Sequence, residues 1–178
     1  MIWEILMENI ILTGYMGSGK TTVGRNVAKL KDYTFVDTDE MIVEKQHRSI
    51  NDIFAADGEQ AFRDMETALL KQLIDEEREH LVISTGGGMP LRAENRQLLS
   101  ELGKVVYLKA SPKTIYNRIK GDTSRPLLKC ENPMKRIEEM IAAREPLYEE
   151  GALITVDVDG LRQSEAALEI VEKCGGTK

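Results

Sequence analysis

A lysine, a hydroxyl side chain and closely spaced glycines near the start of the chain have the types and spacing of a phosphate-binding site. Gly14, Gly19, Lys20 and Thr21 fit the pattern G-x-x-x-x-G-K-[ST] within GYMGSGKTTVG. Glycines let such a loop curl until successive N–H groups point at an anion. Lys20 would reach the β and γ phosphates, and the Thr21 hydroxyl would ligate Mg2+. The alternative is a glycine turn with a solvated lysine.

The residues around this loop favour the phosphate-binding interpretation. Such a loop needs a strand before it, and Ile10 to Thr13 is β-rich. It also needs a helix after it, and Val23, Val27 and Leu30 recur at helical spacing. The N-terminus of that helix would add its free amides and its dipole to the anion site. The loop residues expected at the nucleotide are Gly14, Gly17, Ser18, Gly19, Lys20, Thr21 and Thr22.

Two carboxylates follow the second predicted strand. Asp37 and Asp39 lie in VDTDE, and residues two apart in an extended segment project to the same side. Asp37, nearer the strand, is suited to hold Mg2+ through a water. Asp39 could hydrogen-bond an acceptor hydroxyl and take its proton, as phosphoryl transfer requires. The alternative for Asp39 is a helix N-cap before EMIVEK.

Three consecutive glycines end the third predicted strand. In STGGG, Ser84 and Thr85 are followed by Gly86, Gly87 and Gly88. Because glycines have no side chains, their amide groups are open to close approach by a second ligand. A flexible turn is the alternative.

Two arginines indicate the charge of that second ligand. Arg63 follows Phe62 in GEQAFR and would border the core, while Arg144 stands at a predicted helix end just before Pro146. Two guanidinium groups converging near glycine amides suit a carboxylate, which arginine binds with a bidentate fork. Ordinary surface salt bridges are the alternative for each arginine.

A polar segment between two later helices resembles a lid. KGDTSRPLLK, about residues 120–130, contains Gly121 and Pro126 and would carry Arg125 toward the nucleotide. There a cation would meet the charge that develops on the transferred phosphoryl group while the lid excludes water. Arg118, one turn earlier, would flank the nucleotide base. Simple solvation of a loop arginine is the alternative.

Strands and helices alternate along the chain in the order needed to gather these residues. Apolar strands alternating with helices predict an α/β fold, a five-stranded parallel sheet covered on both faces, with ligands at the carboxyl ends of the strands. One helical face is predicted at Phe62, Met65, Leu69 and Leu73, and two later helices are predicted to begin at Ser111 and Asn132. A final helix, after the fifth strand, is predicted to carry Leu168 and Val171. After the first, the predicted strands are Tyr33 to Asp37, Leu81 to Ser84, Val105 to Leu108 and Leu153 to Val156.

Composition narrows the class of protein. The 178 residues, 42% hydrophobic and 30% charged, predict one domain over residues 1–178. A net charge of −6 argues against nucleic-acid binding, and no apolar run approaches a membrane span of ~20 residues. Cys130 and Cys174 read as free thiols, and His47 and His80 as solvated side chains. Since MIWEIL lacks a basic region, we expect no targeting segment. Free thiols are typical of a cytoplasmic protein, and we also expect a monomer.

Together these stretches resemble the shikimate kinase family. The resemblance runs from Ile10 to about Val158 through GYMGSGKTTVG, FVDTDEMI, GEQAFRDMET, STGGG, DTSRPLL and REPLYEE, in that order. The first motif is shared with many NTPases, whereas the other five in combination are specific. The resemblance implies a three-layer αβα P-loop fold like that of nucleoside monophosphate kinases. It also implies transfer of the ATP γ-phosphate to the 3-hydroxyl of shikimate, on the route to chorismate and the aromatic amino acids.

The same resemblance implies roles for individual residues. Asp39, Arg63, Gly87 and Arg144 would bind shikimate, with Asp39 on its hydroxyls and the arginines on its carboxylate. Lys20, Thr21 and Asp37 would serve MgATP, Arg125 would be the lid arginine, and Arg118 would lie near adenine. Family members often carry a proline loop against adenine after the last strand, but VDVDGLRQSEAA has no proline. Base contacts there stay unassigned, with Arg162 as a candidate.

Two other functions stay open at this point. A kinase of the same fold for gluconate or a nucleotide would keep the phosphate loop, although the two arginines favour a carboxylate. A nucleotide-dependent switch is the alternative outside metabolism. No Asn-Lys pair for guanine selectivity occurs, and the D-x-x-G of Asp157 to Gly160 follows the last strand, where it would not sense a γ-phosphate.

Overall fold

The computed structural model of the chain describes residues 8–122 and 129–175, and five strands form one parallel sheet. The order across the sheet is β2-β3-β1-β4-β5, so the strand before the phosphate loop lies at the centre. In register, Ile11 of the central strand lies between Ile83 and Val105. The strands are β1 Ile10–Thr13, β2 Thr34–Asp37, β3 Leu81–Ser84, β4 Lys104–Lys109 and β5 Ile154–Asp157. The predicted parallel α/β architecture is confirmed.

Helices cover both faces of this sheet. They are α1 Lys20–Lys31, α2 Thr38–Gln46, α3 Ile50–Asp75, α4 Ala93–Leu102, α5 Pro112–Ile119, α6 Pro133–Gly151 and α7 Gln163–Lys173. Alternate residues of β1 enter different cores: Ile10 and Leu12 pack with α1 and α7, whereas Ile11 packs with α3 and α4. This apolar alternation on both faces produces the three layers.

Side chains and backbone at the helix ends agree with most sequence signals. Ser111 accepts a hydrogen bond from the Thr114 N–H, and Asn132 accepts one from the Lys135 N–H, so both are N-caps as predicted. Gly103 ends α4. α3 breaks at Gly58, whose φ of 85° and ψ of 169° lie outside the helical region.

Three leucines expected in packed positions are instead exposed. Leu153 is 66% exposed because β5 begins one residue later, at Ile154. Leu168 is 50% exposed, since α7 turns Ala167, Ile170 and Val171 toward the sheet. Leu30, near the end of α1, is 40% exposed. Hydrophobic periodicity predicted the helices correctly. The buried face of α7, however, includes alanines, so its leucine was assigned to the wrong side.

Two helix boundaries differ from the sequence-based prediction. α6 continues through Pro146 to Gly151, so Arg144 lies within a helix and not at its end. Proline removes one helical N–H, and burial of Tyr148 just beyond it favours continuation. α2 begins at Thr38, directly after β2, so Asp39 is helical and not extended.

The cysteines and histidines fall largely as predicted. Cys130 is exposed and Cys174 is buried, and these two described residues form no disulfide. His47 and His80 are both exposed, and His80 lies 3.4 Å from Glu8. Among helices of the described residues, none combines the length and apolarity of a membrane span.

A buried asparagine ties the amino end of the central strand to its surroundings. The Asn9 side chain donates to the Arg78 carbonyl at 2.8 Å and to the Leu102 carbonyl at 2.9 Å, and its oxygen accepts from the Leu81 N–H at 2.9 Å. These bonds join β1 to the start of β3 and the end of α4. The strand that carries the phosphate loop is thereby fixed at its far end.

We predict that Asn9→Ala lowers the free energy of unfolding by about 3 kcal/mol. Three hydrogen bonds are lost, two of them buried and one partly buried, each worth about 1 kcal/mol, and three backbone groups lose a hydrogen-bond partner. Urea denaturation measures the change. Leu153→Ala, at an exposed position, is the control and is expected to change stability by less than about 0.5 kcal/mol. Equal effects of the two variants would contradict the role given to Asn9.

Candidate active site

The phosphate loop connects the central strand to α1 and leaves its amides around an open space. Gly17 and Gly19 have φ of 77° and 100°, in the region that favours glycine. A side chain at Gly14 would come within 2.8 Å of the Leu108 carbonyl. The Lys20 ammonium group donates to the Gly14 carbonyl at 2.7 Å and the Tyr15 carbonyl at 3.0 Å. The loop is therefore held in a curled form by its own lysine.

A pocket of about 310 Å3 opens at the carboxyl ends of β1, β2 and β3. Its lining brings together most of the sequence-predicted phosphate, metal and acceptor residues, which are distant in the chain. The lining residues are Met16, Gly17, Gly19, Lys20, Thr21, Thr22, Asp37, Asp39, Ser84, Thr85, Gly86 and Gly87. The strand-end location expected for a ligand in a parallel α/β sheet is thus observed.

The two carboxylates reach the pocket by a route that differs from the expected one. Asp37, not Asp39, is the N-cap of α2, since its Oδ1 accepts from the N–H groups of Asp39 and Glu40. Asp39 stands in the first helical turn and still lines the pocket. Burial, and then the neighbouring Asp37 charge, raise the pKa of Asp39 against the opposing charges of Lys20 and Arg63. A carboxylate with a raised pKa is a better proton acceptor.

The glycine run lines the pocket and also leaves room for the side chains of Asp39 and Arg63. A side chain at Gly86 would approach Asp39 Oδ1 to 2.7 Å, and one at Gly88 would overlap the Arg63 guanidinium. The Gly86 N–H donates to the Thr38 hydroxyl at 3.1 Å. Gly87 is different, because its nearest neighbours, at 3.5 Å or more, are the phosphate loop and the Tyr148 hydroxyl.

Arg63 is held on α3 by two glutamates. Its guanidinium donates to Glu66 at 2.8 Å and to Glu59 at 3.2 Å. The Glu66 side chain is fully buried, whereas Glu59 is 69% exposed. Desolvation raises the pKa of Glu66 to about 7, although the Arg63 charge opposes that shift. Within the described parts of the chain, Asp39 Oδ1 and Glu66 Oε1 are buried without a hydrogen-bond partner.

Arg144 approaches the same region from α6. Its guanidinium carbon lies 5.5 Å from the centre of the Tyr15 ring, a cation–π distance. Burial raises the pKa of the Tyr148 hydroxyl, and the charges of Arg144 and Arg63 both oppose this shift. Both arginines therefore lie close enough to Tyr148 to act on one hydroxyl. That the two guanidinium groups bind one carboxylate stays a prediction.

Arg118 contacts the outside of the phosphate loop. Its guanidinium donates to the carbonyls of Gly17 at 3.1 Å and Ser18 at 2.9 Å. Arg162 is 80% exposed and pairs with Glu165 at the start of α7. Arg125, the predicted lid arginine, lies outside the described residues.

The donors in the pocket fit a magnesium ion that is shared with phosphates. Thr21 supplies a hydroxyl and Asp37 a carboxylate, and both line the pocket. Among residues 8–122 and 129–175, no group of three or more His, Cys, Asp or Glu is placed to hold a metal. Mg2+ in kinases is commonly bound through one or two carboxylates, waters and substrate phosphates, so a sparse protein donor set is appropriate.

A larger cavity of about 550 Å3 lies at the opposite, amino-terminal edge of the sheet. Tyr33, His80, Lys104 and Cys174 contribute to its lining, and the phosphate-loop residues do not. Ligands of parallel α/β sheets bind at the carboxyl ends of the strands. The smaller pocket is therefore the candidate active site.

Four residues of this region were not singled out from the sequence: Met16, Thr38, Glu66 and Tyr148. Glu66 follows Arg63 by three positions and Tyr148 follows Arg144 by four, and such pairs lie on one helix face. That spacing was a usable signal for both. Met16 and Thr38 are recognised only through contacts with the pocket and the glycine run, which join distant parts of the chain.

A family model and curated relatives of this chain point to the same family. A family model described as shikimate kinase matches residues 16–175. The chain is 44% identical to a shikimate kinase of Thermodesulfovibrio yellowstonii, over 94% of this chain and 95% of that protein. It is 46% identical to one of Neisseria gonorrhoeae, over 87% and 90% of the two chains.

Solved structures agree with the sequence comparison. The shikimate kinase from Acinetobacter baumannii in complex with shikimate superposes with a TM-score of 0.85 at 39% identity, covering 96% of this chain and 93% of that one. A deoxyadenosine kinase from M. mycoides with bound dATP superposes at 0.56 with 15% identity, covering 93% and 98%, which shows a shared fold alone.

We predict that Glu66→Gln removes part of the pH dependence of stability. Because the folded pKa of about 7 exceeds the usual 4.5, the folded protein binds more protons between those values, and stability falls as pH rises through this window. The contribution amounts to at most about 3 kcal/mol. Urea denaturation at pH 5 and pH 7.5 should show Glu66→Gln gaining stability relative to the wild type at the higher pH. A difference that does not change with pH would contradict the assignment.

Proposed function

The chain belongs to the shikimate kinase family, and from that membership we propose that it transfers the γ-phosphoryl group of ATP to the 3-hydroxyl of shikimate. The products are shikimate 3-phosphate and ADP, on the route to chorismate and the aromatic amino acids. The chain is an ATP-dependent small-molecule kinase. The observation that best supports the proposed substrate is the convergence of Arg63 and Arg144 beside a pocket that holds the phosphate loop and Asp39.

The acceptor would bind against the glycine run. Arg63 and Arg144 would each pair with its carboxylate, since guanidinium groups match carboxylates in shape and charge. Asp39 would hydrogen-bond the ring hydroxyls. Gly87 would approach the ring most closely, because it is the glycine of the run that faces the phosphate loop.

Phosphoryl transfer depends on positioning and on neutralising charge. Asp39 would accept the proton of the 3-hydroxyl as that oxygen bonds to the γ-phosphorus and the bond to the β-phosphate oxygen breaks. Lys20 would turn from the loop carbonyls toward the phosphates, and Arg118 would support the loop from outside near the base. Mg2+, held by Thr21 and by Asp37 through a water, would neutralise phosphate charge. Arg125 is proposed as the lid arginine.

Several sequence-based expectations stay predictions. They are a single domain, a monomeric state, a cytoplasmic location, and the absence of nucleic-acid or membrane partners. The comparisons bear on the family and on the reaction.

The first measurement is ADP release by the purified protein with MgATP and four acceptor conditions: none, shikimate, gluconate and CMP. Shikimate alone is expected to stimulate release strongly. Stimulation by gluconate or CMP in place of shikimate would contradict the assignment of the arginines. Absence of stimulation by any acceptor would favour a nucleotide-dependent switch.

Asp39→Asn is expected to lower kcat at least about 100-fold, because the variant cannot take the acceptor proton. The KM for ATP should change by less than about threefold, since Asp39 is not a phosphate ligand. Steady-state kinetics with both substrates varied measures the two effects. Asp75→Asn, on the exposed part of α3, is the matched control. A near-normal kcat for Asp39→Asn would remove Asp39 from the mechanism.

Arg63→Ala and Arg144→Ala are expected to raise the KM for shikimate about 10- to 100-fold, the effect of losing a charged hydrogen bond. Arg136→Ala is the control, because Arg136 lies on the same helix as Arg144 with its side chain 56% exposed. If neither Arg63→Ala nor Arg144→Ala changes this KM, the carboxylate is bound elsewhere.

A further inference from the structure

We propose that Tyr148 is a positioning residue for the acid substrate, because its hydroxyl ties the glycine run to the helix that carries Arg144. The inference rests on the proposed function and adds a residue to it. Tyr148 is 1% exposed, and its hydroxyl donates to the Gly87 carbonyl at 2.6 Å. This bond spans 61 positions of the chain and links α6 to the glycine run.

The Tyr148 ring is held in place independently of its hydroxyl. It stacks on the Tyr107 ring of β4 with 5.2 Å between centroids and 24° between planes. Since aromatic packing supplies most of the burial energy of such a side chain, the ring fixes where the hydroxyl points. Removal of the hydroxyl alone should therefore leave the helix packed.

The Tyr148 hydroxyl influences the position of Arg63 through the peptide group between Gly87 and Gly88. The Gly87 carbonyl and the Gly88 N–H belong to the same trans peptide, so they point in opposite directions. Tyr148 holds the carbonyl at one end of this peptide, and Gly88 at its other end lies against the Arg63 guanidinium. The orientation of this peptide thus links Tyr148 to the first arginine of the carboxylate site.

The hydroxyl also acts on the second arginine. Arg144 precedes Tyr148 by one helical turn on the same face of α6, and its charge acts on the Tyr148 hydroxyl. The Tyr15 ring contacts Arg144 from another direction, at 5.5 Å. The bond from the Tyr148 hydroxyl to Gly87 fixes α6 against the glycine run and so sets where Arg144 stands relative to Arg63.

Stability should depend little on this hydroxyl. Gly87 is only half-buried, so water can replace the lost donor at its carbonyl. The expected effect of Tyr148→Phe is therefore on substrate binding and not on folding. We expect the KM for shikimate to rise about tenfold, with kcat and the KM for ATP changed by less than about threefold.

The test compares wild type, Tyr148→Phe and Tyr107→Phe with shikimate and with its methyl ester, whose carboxyl group is neutral. Tyr107→Phe removes a hydroxyl from the same ring pair and is expected to leave each KM within about twofold of wild type. For Tyr148→Phe, the rise in KM should be large with the acid and within about twofold with the ester, because Tyr148 positions the two arginines that bind the carboxylate.

Each outcome decides between the possibilities. Equal rises with acid and ester, or no rise with the acid, would overturn the role of Tyr148 while leaving the proposed function intact. A matching rise in Tyr107→Phe would assign the effect to general packing and would also overturn it. Lack of shikimate stimulation in the wild type would overturn the proposed function and this inference together.

Discussion

The proposed acceptor site depends on one constraint: charged side chains pack directly against the backbone of consecutive glycines. Asp39 approaches the Cα of Gly86, and Arg63 covers Gly88, at distances that a methyl group would not permit. These contacts bring a residue of α2 and a residue of α3 to the end of β3. The glycine run is therefore less a flexible turn than the surface against which two functional groups are fixed.

Two cations beside the glycine run partly offset the cost of burying two carboxylates. Asp39 and Glu66 are buried carboxylates, and the pKa of each is raised by desolvation. Lys20 and Arg63 supply the opposing charges. Arg63 is oriented before any acid arrives, because Glu66 and Glu59 hold it from the same helix. Such preorganisation lowers the entropy lost on binding, and the partly exposed bond to Glu59 is the one that an incoming carboxylate can replace most readily.

The sequence predicted the elements that rest on local patterns. The five strands are short apolar runs, and the phosphate loop has glycines where positive φ or close approach requires them. The sequence predicted helix boundaries less well where a boundary depends on tertiary contacts. Asp39 was placed in an extended segment, but Asp37 caps α2 so early that Asp39 becomes helical. Tyr148 was overlooked because Pro146 suggested a helix end, whereas burial of the tyrosine favours its continuation.

Glycines in this chain also illustrate why residue type alone does not separate function from folding. A side chain at Gly103 would come within 2.5 Å of the Asn9 carbonyl, part of the backbone, so glycine there is required by the fold. A side chain at Gly88 would meet the end of the Arg63 side chain, which can rotate away. The fold can therefore tolerate a change at Gly88, but the guanidinium would leave the position it holds against the glycine run. The two glycines look alike in the sequence, and what distinguishes them is whether the neighbouring atom is backbone or a movable charged group.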